Sequence, residues 1–270
     1  MPTTPSRMTV PRFRERKQQG APLVVLTAYD VPSAAAAEAA GVDALMVGDS
    51  LGNVLLGYDS TLPVTLDDMI HHGRAVSRAR ENALLILDMP WMSYHVSPED
   101  ALRNAARLVR ETGADAVKLE GGARRLPVVR AVLDAEIPVM GHLGLTPQSV
   151  LRMGGYRVQG KSAEDAAALL ADARALASAG VFAIVLEGVP PELAERITRQ
   201  VEVPTIGIGA GPHCDGQVLV FHDLLGMSPG PSPKFVRRYA EIWKQQVTAI
   251  ERWTADVRAG SFPGVAETYR

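Results

Sequence analysis

Four stretches of the chain share one grammar, a short apolar run that ends on an acid. They are Ala44-Leu45-Met46-Val47-Gly48-Asp49, Leu84-Leu85-Ile86-Leu87-Asp88, Ala116-Val117-Lys118-Leu119-Glu120 and Phe182-Ala183-Ile184-Val185-Leu186-Glu187. Apolar residues in succession, without polar alternation, read as strands buried on both faces, the mark of a parallel sheet covered by helices. Strands of such a sheet all point the same way. Asp49, Asp88, Glu120 and Glu187, far apart in sequence, are therefore delivered to one rim.

Between these runs the chain alternates strand and helix signals. Residues 23–28 predict a first strand, and residues 31–40 an alanine-rich helix closed by Gly41. Thr65-Leu66-Asp67-Asp68 and Ser97-Pro98-Glu99-Asp100 are helix-opening signals, and Gly113 and Gly180 are stops. Residues 137–142, 204–208 and 217–221 complete eight strands. A closing helix is expected over about 234–257. Eight strands in regular alternation with helices indicate a single (β/α)8 TIM barrel rather than an open sheet, and 270 residues suit such a domain, which takes about 250. The reading is one barrel domain over 1–270, with 1–20 a solvated arm, short helix or lid over one barrel end, and about 259–270 an irregular tail.

Composition narrows the function classes. A hydrophobic fraction of 47% with only 5% aromatics predicts a core of Ala, Val, Leu and Ile. A net charge of −2 gives no basic field for nucleic acid or an anionic membrane. One cysteine, Cys214, excludes an internal disulfide, and no apolar run approaches a membrane span or leader, so a cytoplasmic protein is expected. Cys214 has no triad partners nearby and reads as a bystander.

Four acids at one rim repel each other unless a cation stands among them. An oxygen-rich set without a Cys/His array favours a hard ion, Mg²⁺ above all. The alternative is that each acid caps a helix or pairs with an arginine. Lys118 lies two residues before Glu120, on the same strand face, so it points into the barrel toward the acids or a substrate carboxylate, or forms a structural Lys–Glu pair. Ser50 is a donor for an anionic substrate or for a loop amide. His142 is a metal ligand, a hydrogen-bond donor or a satisfied rim histidine. His71 and His72 read as solvated, while Met89, Trp91 and Met92 read as loop packing. Gly207, Gly209 and Gly211 suggest close backbone approach near the rim, or a phosphate cradle. The strict dinucleotide fingerprint after the first strand is absent. Loops 50–63 and 143–161 are long enough to be functional.

Taken together, Val47-Gly48-Asp49-Ser50-Leu51-Gly52, Gly57-Tyr58-Asp59-Ser60-Thr61, Asp88-Met89-Pro90, Val117-Lys118-Leu119-Glu120-Gly121-Gly122, Gly141-His142-Leu143-Gly144-Leu145-Thr146-Pro147-Gln148-Ser149, and Gly207-Ile208-Gly209-Ala210-Gly211 with Asp215-Gly216-Gln217-Val218-Leu219 resemble the ketopantoate hydroxymethyltransferases, in order, from about Thr27 to Gly226. That resemblance implies a barrel of the phosphoenolpyruvate/pyruvate superfamily and a small-molecule 2-oxo acid substrate. It also implies Mg²⁺ and 5,10-methylenetetrahydrofolate in pantothenate biosynthesis, and a homodecamer. It implies Asp49, Asp88 and Glu120 at the magnesium, Asp49, Ser50, Asp88 and Lys118 at the oxo acid, and Glu187 as catalytic base, with His142 in a supporting place. The rival readings are a lyase or mutase that forms the same enolate without folate, and a barrel with no catalytic activity.

Overall fold

The computed structural model describes residues 7–269. Its strands are β1 (Leu23–Thr27), β2 (Ala44–Val47), β3 (Leu84–Asp88), β4 (Ala116–Glu120), β5 (Val139–Gly144), β6 (Ala183–Glu187), β7 (Thr205–Ile208) and β8 (Gly216–Leu219). They close a parallel barrel in sequence order. Its helices are α1 (Val10–Gln19), α2 (Val31–Ala39), α3 (Leu51–Val54), α4 (Leu66–Ala79), α5 (Pro98–Thr112), α6 (Leu126–Asp134), α7 (Val150–Met153), α8 (Ala163–Ala179), α9 (Pro191–Gln200), α10 (Phe221–Leu225) and α11 (Ile242–Ala259). The signals at Thr65 and Ser97 cap α4 and α5 as expected, each side chain accepting a backbone N–H of the first turn. Among the described residues no helix is long and apolar enough to cross a membrane.

Side chains of a strand alternate between its two faces, and that period of two sets the barrel interior. The core takes Leu84 and Ile86 of β3, Ala116 of β4, Met140 of β5, and Ala183 and Val185 of β6. Continuing in the same parity toward the C-terminal ends reaches Asp88, Lys118 and Glu120, His142, and Glu187. One inward face thus runs from dry hydrocarbon to a charged rim. Register adds the lateral neighbours: Asp88 pairs across from Lys118, and Glu120 from His142.

The opposite mouth meets α1, the helix that residues 10–19 of the expected arm, short helix or lid form. Thr9 caps the helix, Gly20 ends it in the left-handed conformation, and Phe13 is its one buried residue. Phe13 lies edge-on to Phe182 with ring centroids 5.7 Å apart, inside the barrel cluster. Two cations tie the helix down. Arg16 reaches Asp43 at 2.9 Å and Lys17 reaches Asp215 at 2.7 Å. Those aspartates belong to a device used three times: an acid just before one strand accepts the first amides of the strand before it. Asp43 takes Val24 N at 2.8 Å, Asp115 takes Leu85 N at 2.9 Å and Asp215 takes Thr205 N at 2.8 Å.

Three departures from expectation have physical causes. No helix separates β7 from β8. Residues 209–215 suffice because Asp215 holds the start of β7, and glycine at 207 lets Cys214 and Gln217 approach its backbone. The close-approach reading of these glycines fits. The closing helix starts at Ile242 rather than near Lys234, since Pro231 and Pro233 favour turns and Val236 N bonds Pro233 O instead. Finally, the chain forms two compact units, Met1–Val220 and Phe221–Arg270, not one domain over 1–270. The barrel is complete at β8, and α11 buries none of its residues.

Phe13→Ala should cost about 3–5 kcal/mol of stability, because a fully buried ring leaves a cavity at the plugged mouth. Val24→Ala, on an exposed outward position of β1, should stay within about 0.5 kcal/mol. Denaturant unfolding of both variants reads the difference.

Candidate active site

The rim is built from strand ends. Asp88, Lys118 and Glu120 terminate β3 and β4, His142 stands in β5, Glu187 ends β6, and Asp49 follows β2 by two residues. All but Glu187 are nearly inaccessible. Lys118 Nζ lies 3.1 Å from Asp88 Oδ1, off the line of a hydrogen bond, and 3.4 Å from His142 Nδ1. The Asp49 amide donates to Asp88 Oδ2 at 3.2 Å. His142 bridges two acids, with Nδ1 3.5 Å from Glu120 Oε1 and Nε2 3.2 Å from Glu187 Oε2. Its Nε2 contact also lacks hydrogen-bond alignment, a looseness common at catalytic bonds before substrate arrives. The acids at the ends of β2, β3, β4 and β6 therefore converge, and Lys118 and His142 stand between them.

Electrostatics follows from burial. Burial raises the Asp49 pKa, and Asp88 and Glu120 push it further, to about 8 despite Lys118 and the Gln148 hydrogen bond. Burial pulls Lys118 down, but Asp88, Glu120 and Asp49 overcome it and hold the ammonium at about 12. Burial and Lys118 pull His142 down too, and its contacts with Glu120 and Glu187 carry it up to about 9. Four carboxylates against a lysine and a protonated histidine leave an excess of two negative charges, the charge of one divalent cation. Without one, a proton on Asp49 is the local relief.

The donor set suits a hard cation. It is all carboxylate oxygen, and Asp88 Oδ1 is buried without a hydrogen bond. Among the described residues no three His, Cys, Asp or Glu side chains already stand as a ready-made metal-binding group. Mg²⁺ does not require one, since it keeps several waters and is commonly held through one or two carboxylates plus substrate oxygens. Asp49 and Asp88, in contact on adjacent strands, offer such a pair. Glu120 already accepts the Gln148 amide on Oε2 at 3.0 Å and faces His142 with Oε1.

Other expectations resolve individually. Ser50 Oγ meets Tyr29 O–H at 2.8 Å, not a loop amide. His72 is not merely solvated, because its Nδ1 lies 2.7 Å from the Tyr29 carbonyl. Met89 is buried, whereas Trp91 and Met92 are exposed and do not pack the loop. Cys214 packs against Gly207 at the far side of the sheet from the acids. Loop 50–63 contains the short helix α3, and loop 143–161 contains α7. Gly144, with φ +94, is required by closeness: a Cβ there would meet the Glu187 carbonyl at 2.2 Å.

Two participants were not singled out from sequence, Gln148 and Tyr94. Gln148 Nε2 donates to Asp49 Oδ2 at 2.8 Å and to Met89 O at 3.0 Å, and Tyr94 O–H donates to Gln148 Oε1 at 2.5 Å. Tyr94 O–H also accepts Glu120 N at 3.2 Å. Gln148 lies inside the run Gly141 to Ser149, where it is, beside His142, the one large polar side chain, and that was the available signal.

Comparison with known proteins gives the relationships of this chain. The family model described as ketopantoate hydroxymethyltransferase matches residues 7–265. A protein of Syntrophomonas wolfei named 3-methyl-2-oxobutanoate hydroxymethyltransferase is 55% identical over 258 residues, covering 96% of this chain and 94% of its own. One of the same name from Moorella thermoacetica is 55% identical over 265 residues, 98% of each chain. Among solved structures, 2,3-dimethylmalate lyase, a PEP mutase/isocitrate lyase superfamily member, matches with TM-score 0.61 at 17% identity, covering 98% of this chain and 93% of that one. Phosphonopyruvate hydrolase in complex with oxalate and Mg++ matches with TM-score 0.62 at 14% identity, covering 96% and 93%. At such identity these structures establish the barrel fold alone.

The raised Asp49 pKa gives a stability test with a definite sign. Between the ordinary carboxylate range and about 8, the folded protein binds a proton that the unfolded chain has lost, so stability falls as pH rises through that window. Asp49→Asn removes this cost. In the metal-free protein it should raise the melting temperature clearly at pH 8 and little at pH 4, as followed by calorimetry.

Proposed function

The chain belongs to the ketopantoate hydroxymethyltransferase family, and we propose that it transfers the one-carbon unit of 5,10-methylenetetrahydrofolate to 3-methyl-2-oxobutanoate with Mg²⁺, giving 2-dehydropantoate for cytoplasmic pantothenate biosynthesis. The observation that carries the reading is the contact of Asp49 with Asp88 beside buried Lys118, with Glu120 on the neighbouring strand end and Glu187 the most open of the acids at 17% side-chain exposure. Asp49, Asp88 and Glu120 are the residues to hold the cation. Bound there, Mg²⁺ supplies positive charge that polarises the oxo-acid carbonyl and makes the neighbouring C–H acidic.

The protein's own groups do the rest. Lys118, charged at any physiological pH, balances the substrate carboxylate, and Ser50 offers a hydroxyl. Glu187 takes the hydrogen from C3, its accessible carboxylate free to reach a carbon while His142 holds one oxygen. Water adds to the methylene carbon as its bonds to both folate nitrogens break and the two protons of the water pass to those nitrogens; C3 then bonds to the resulting formaldehyde-level carbon, whose oxygen takes the proton held by Glu187 and becomes the hydroxyl of the product. Loops 50–63 and 143–161 are placed to keep bulk water from the enolate in the interval. That phosphonopyruvate hydrolase, a protein of similar fold, is known in complex with oxalate and Mg++ supports a small carboxylate ligand taken together with the cation. A homodecamer remains part of the proposal. The exposed Trp243, Ile250 and Trp253 of α11 support contact between copies, and sedimentation velocity should return an assembly well above the monomer.

Glu187→Gln should lower deuterium exchange at C3 of 3-methyl-2-oxobutanoate by about 10²–10⁴-fold while oxo-acid binding changes little. Exchange at the native rate would remove Glu187 as the base. Product should form only when methylenetetrahydrofolate is added, and product without it would favour the lyase or mutase reading.

A further inference from the structure

Gln148 stands where three strand ends meet, and its amide has no spare capacity. An amide side chain offers two N–H donors and a carbonyl acceptor. One donor goes to Asp49 Oδ2 at 2.8 Å, the other to Met89 O at 3.0 Å, and the carbonyl takes the Tyr94 hydroxyl at 2.5 Å. Turned over, the amide would set its oxygen against the Asp49 carboxylate and the Met89 carbonyl, two acceptor–acceptor contacts, and its nitrogen against a hydroxyl oxygen that already accepts the Glu120 N–H. Only one orientation is satisfied. Tyr94 is itself fixed, because its oxygen accepts the Glu120 amide at 3.2 Å. The backbone N–H of Gln148 donates to Glu120 Oε2 at 3.0 Å, so one residue holds carboxylates that arrive from β2 and from β4.

We propose that Gln148, with its amide locked by Tyr94, is a positioning residue that sets Asp49 and Glu120 in the mutual arrangement a divalent cation requires. The inference deepens the proposed function and rests on its reading of those two acids. An unsupported pair of buried carboxylates turns apart or takes a proton. A pair held by N–H donors keeps its direction, and groups that orient metal ligands in this way typically contribute 10–100-fold in affinity.

The test is Mn²⁺ binding to the full-length protein without substrate, followed by electron paramagnetic resonance, in the wild type, Asp49→Asn, Gln148→Ala, Tyr94→Phe and the double variant. Gln148→Ala should weaken Mn²⁺ by about 10–100-fold. Tyr94→Phe should weaken it in the same direction, and the double variant should be no weaker than Gln148→Ala, because the tyrosine acts through the amide. At saturating Mn²⁺ the KM for the oxo acid should return close to the wild-type value. Wild-type Mn²⁺ affinity in both single variants, with binding lost in Asp49→Asn, overturns the positioning role and leaves the proposed function standing. No Mn²⁺ binding by the wild type overturns both. Should Gln148→Ala fail to fold by circular dichroism, Tyr94→Phe, which keeps the ring and deletes one O–H, decides alone.

Discussion

Everything at the C-terminal rim depends on the Lys118–Asp88 contact at the top of a dry barrel. An ammonium in hydrocarbon is tolerated only with its countercharge, and removing one partner of such a buried pair costs about 3–5 kcal/mol. Lys118 sits two positions above Ala116 on the inward face of β4, just where the apolar packing ends. It cannot retreat to solvent. The acids must therefore come to it, and the register of β3 and β4, which sets Asp88 beside Lys118, ensures that they do. The same register logic places His142 beside Glu120, and the barrel's closure brings Glu187 to the far side of the imidazole.

The N-terminal mouth solves a related problem with different chemistry. Strands of a parallel barrel start with free amides, and the aspartates at 43, 115 and 215 satisfy them while drawing in cations from α1 and from Arg80. These acids neighbour arginine or lysine and are partly solvated. The acids of the opposite rim outnumber their cations and, Glu187 apart, are buried. One mouth is thus at electrostatic rest, and the other carries an unmet charge that a ligand can satisfy. That asymmetry, in a chain whose net charge is only −2, separates structural acids from candidate catalytic ones.

The parts legible in the sequence are those that a period of two and a directional strand suffice to state. Asp49, Asp88, Glu120 and Glu187 could be assigned to one rim because each ends an apolar run, and the inward direction of Lys118 follows from its spacing to Glu120. What escaped depended on contacts across the barrel. Gln148 looks like any polar loop residue until Asp49, 99 residues away, is brought to its amide. The plug made by Phe13 hides inside a segment so basic that it reads as solvated, since one aromatic cannot reveal a buried helix face. The division at Val220 escaped because a strand followed by a helix is the same signal whether the helix covers the barrel or not.

The rim's two cations divide the acids into groups with different duties. Lys118 is clamped toward Asp88 and stays charged, a fixed countercharge for the acids around it. His142 faces the outer pair, Glu120 and Glu187, and its pKa, raised to about 9, lets it give up its own proton if Glu187 acts as the base proposed above. Glu187 is also the acid with access to solvent. A carboxylate that must collect a hydrogen from a substrate carbon and later give it up needs both properties, an open approach and a neighbour that can follow its change of charge. Among the described rim acids, that combination falls on Glu187.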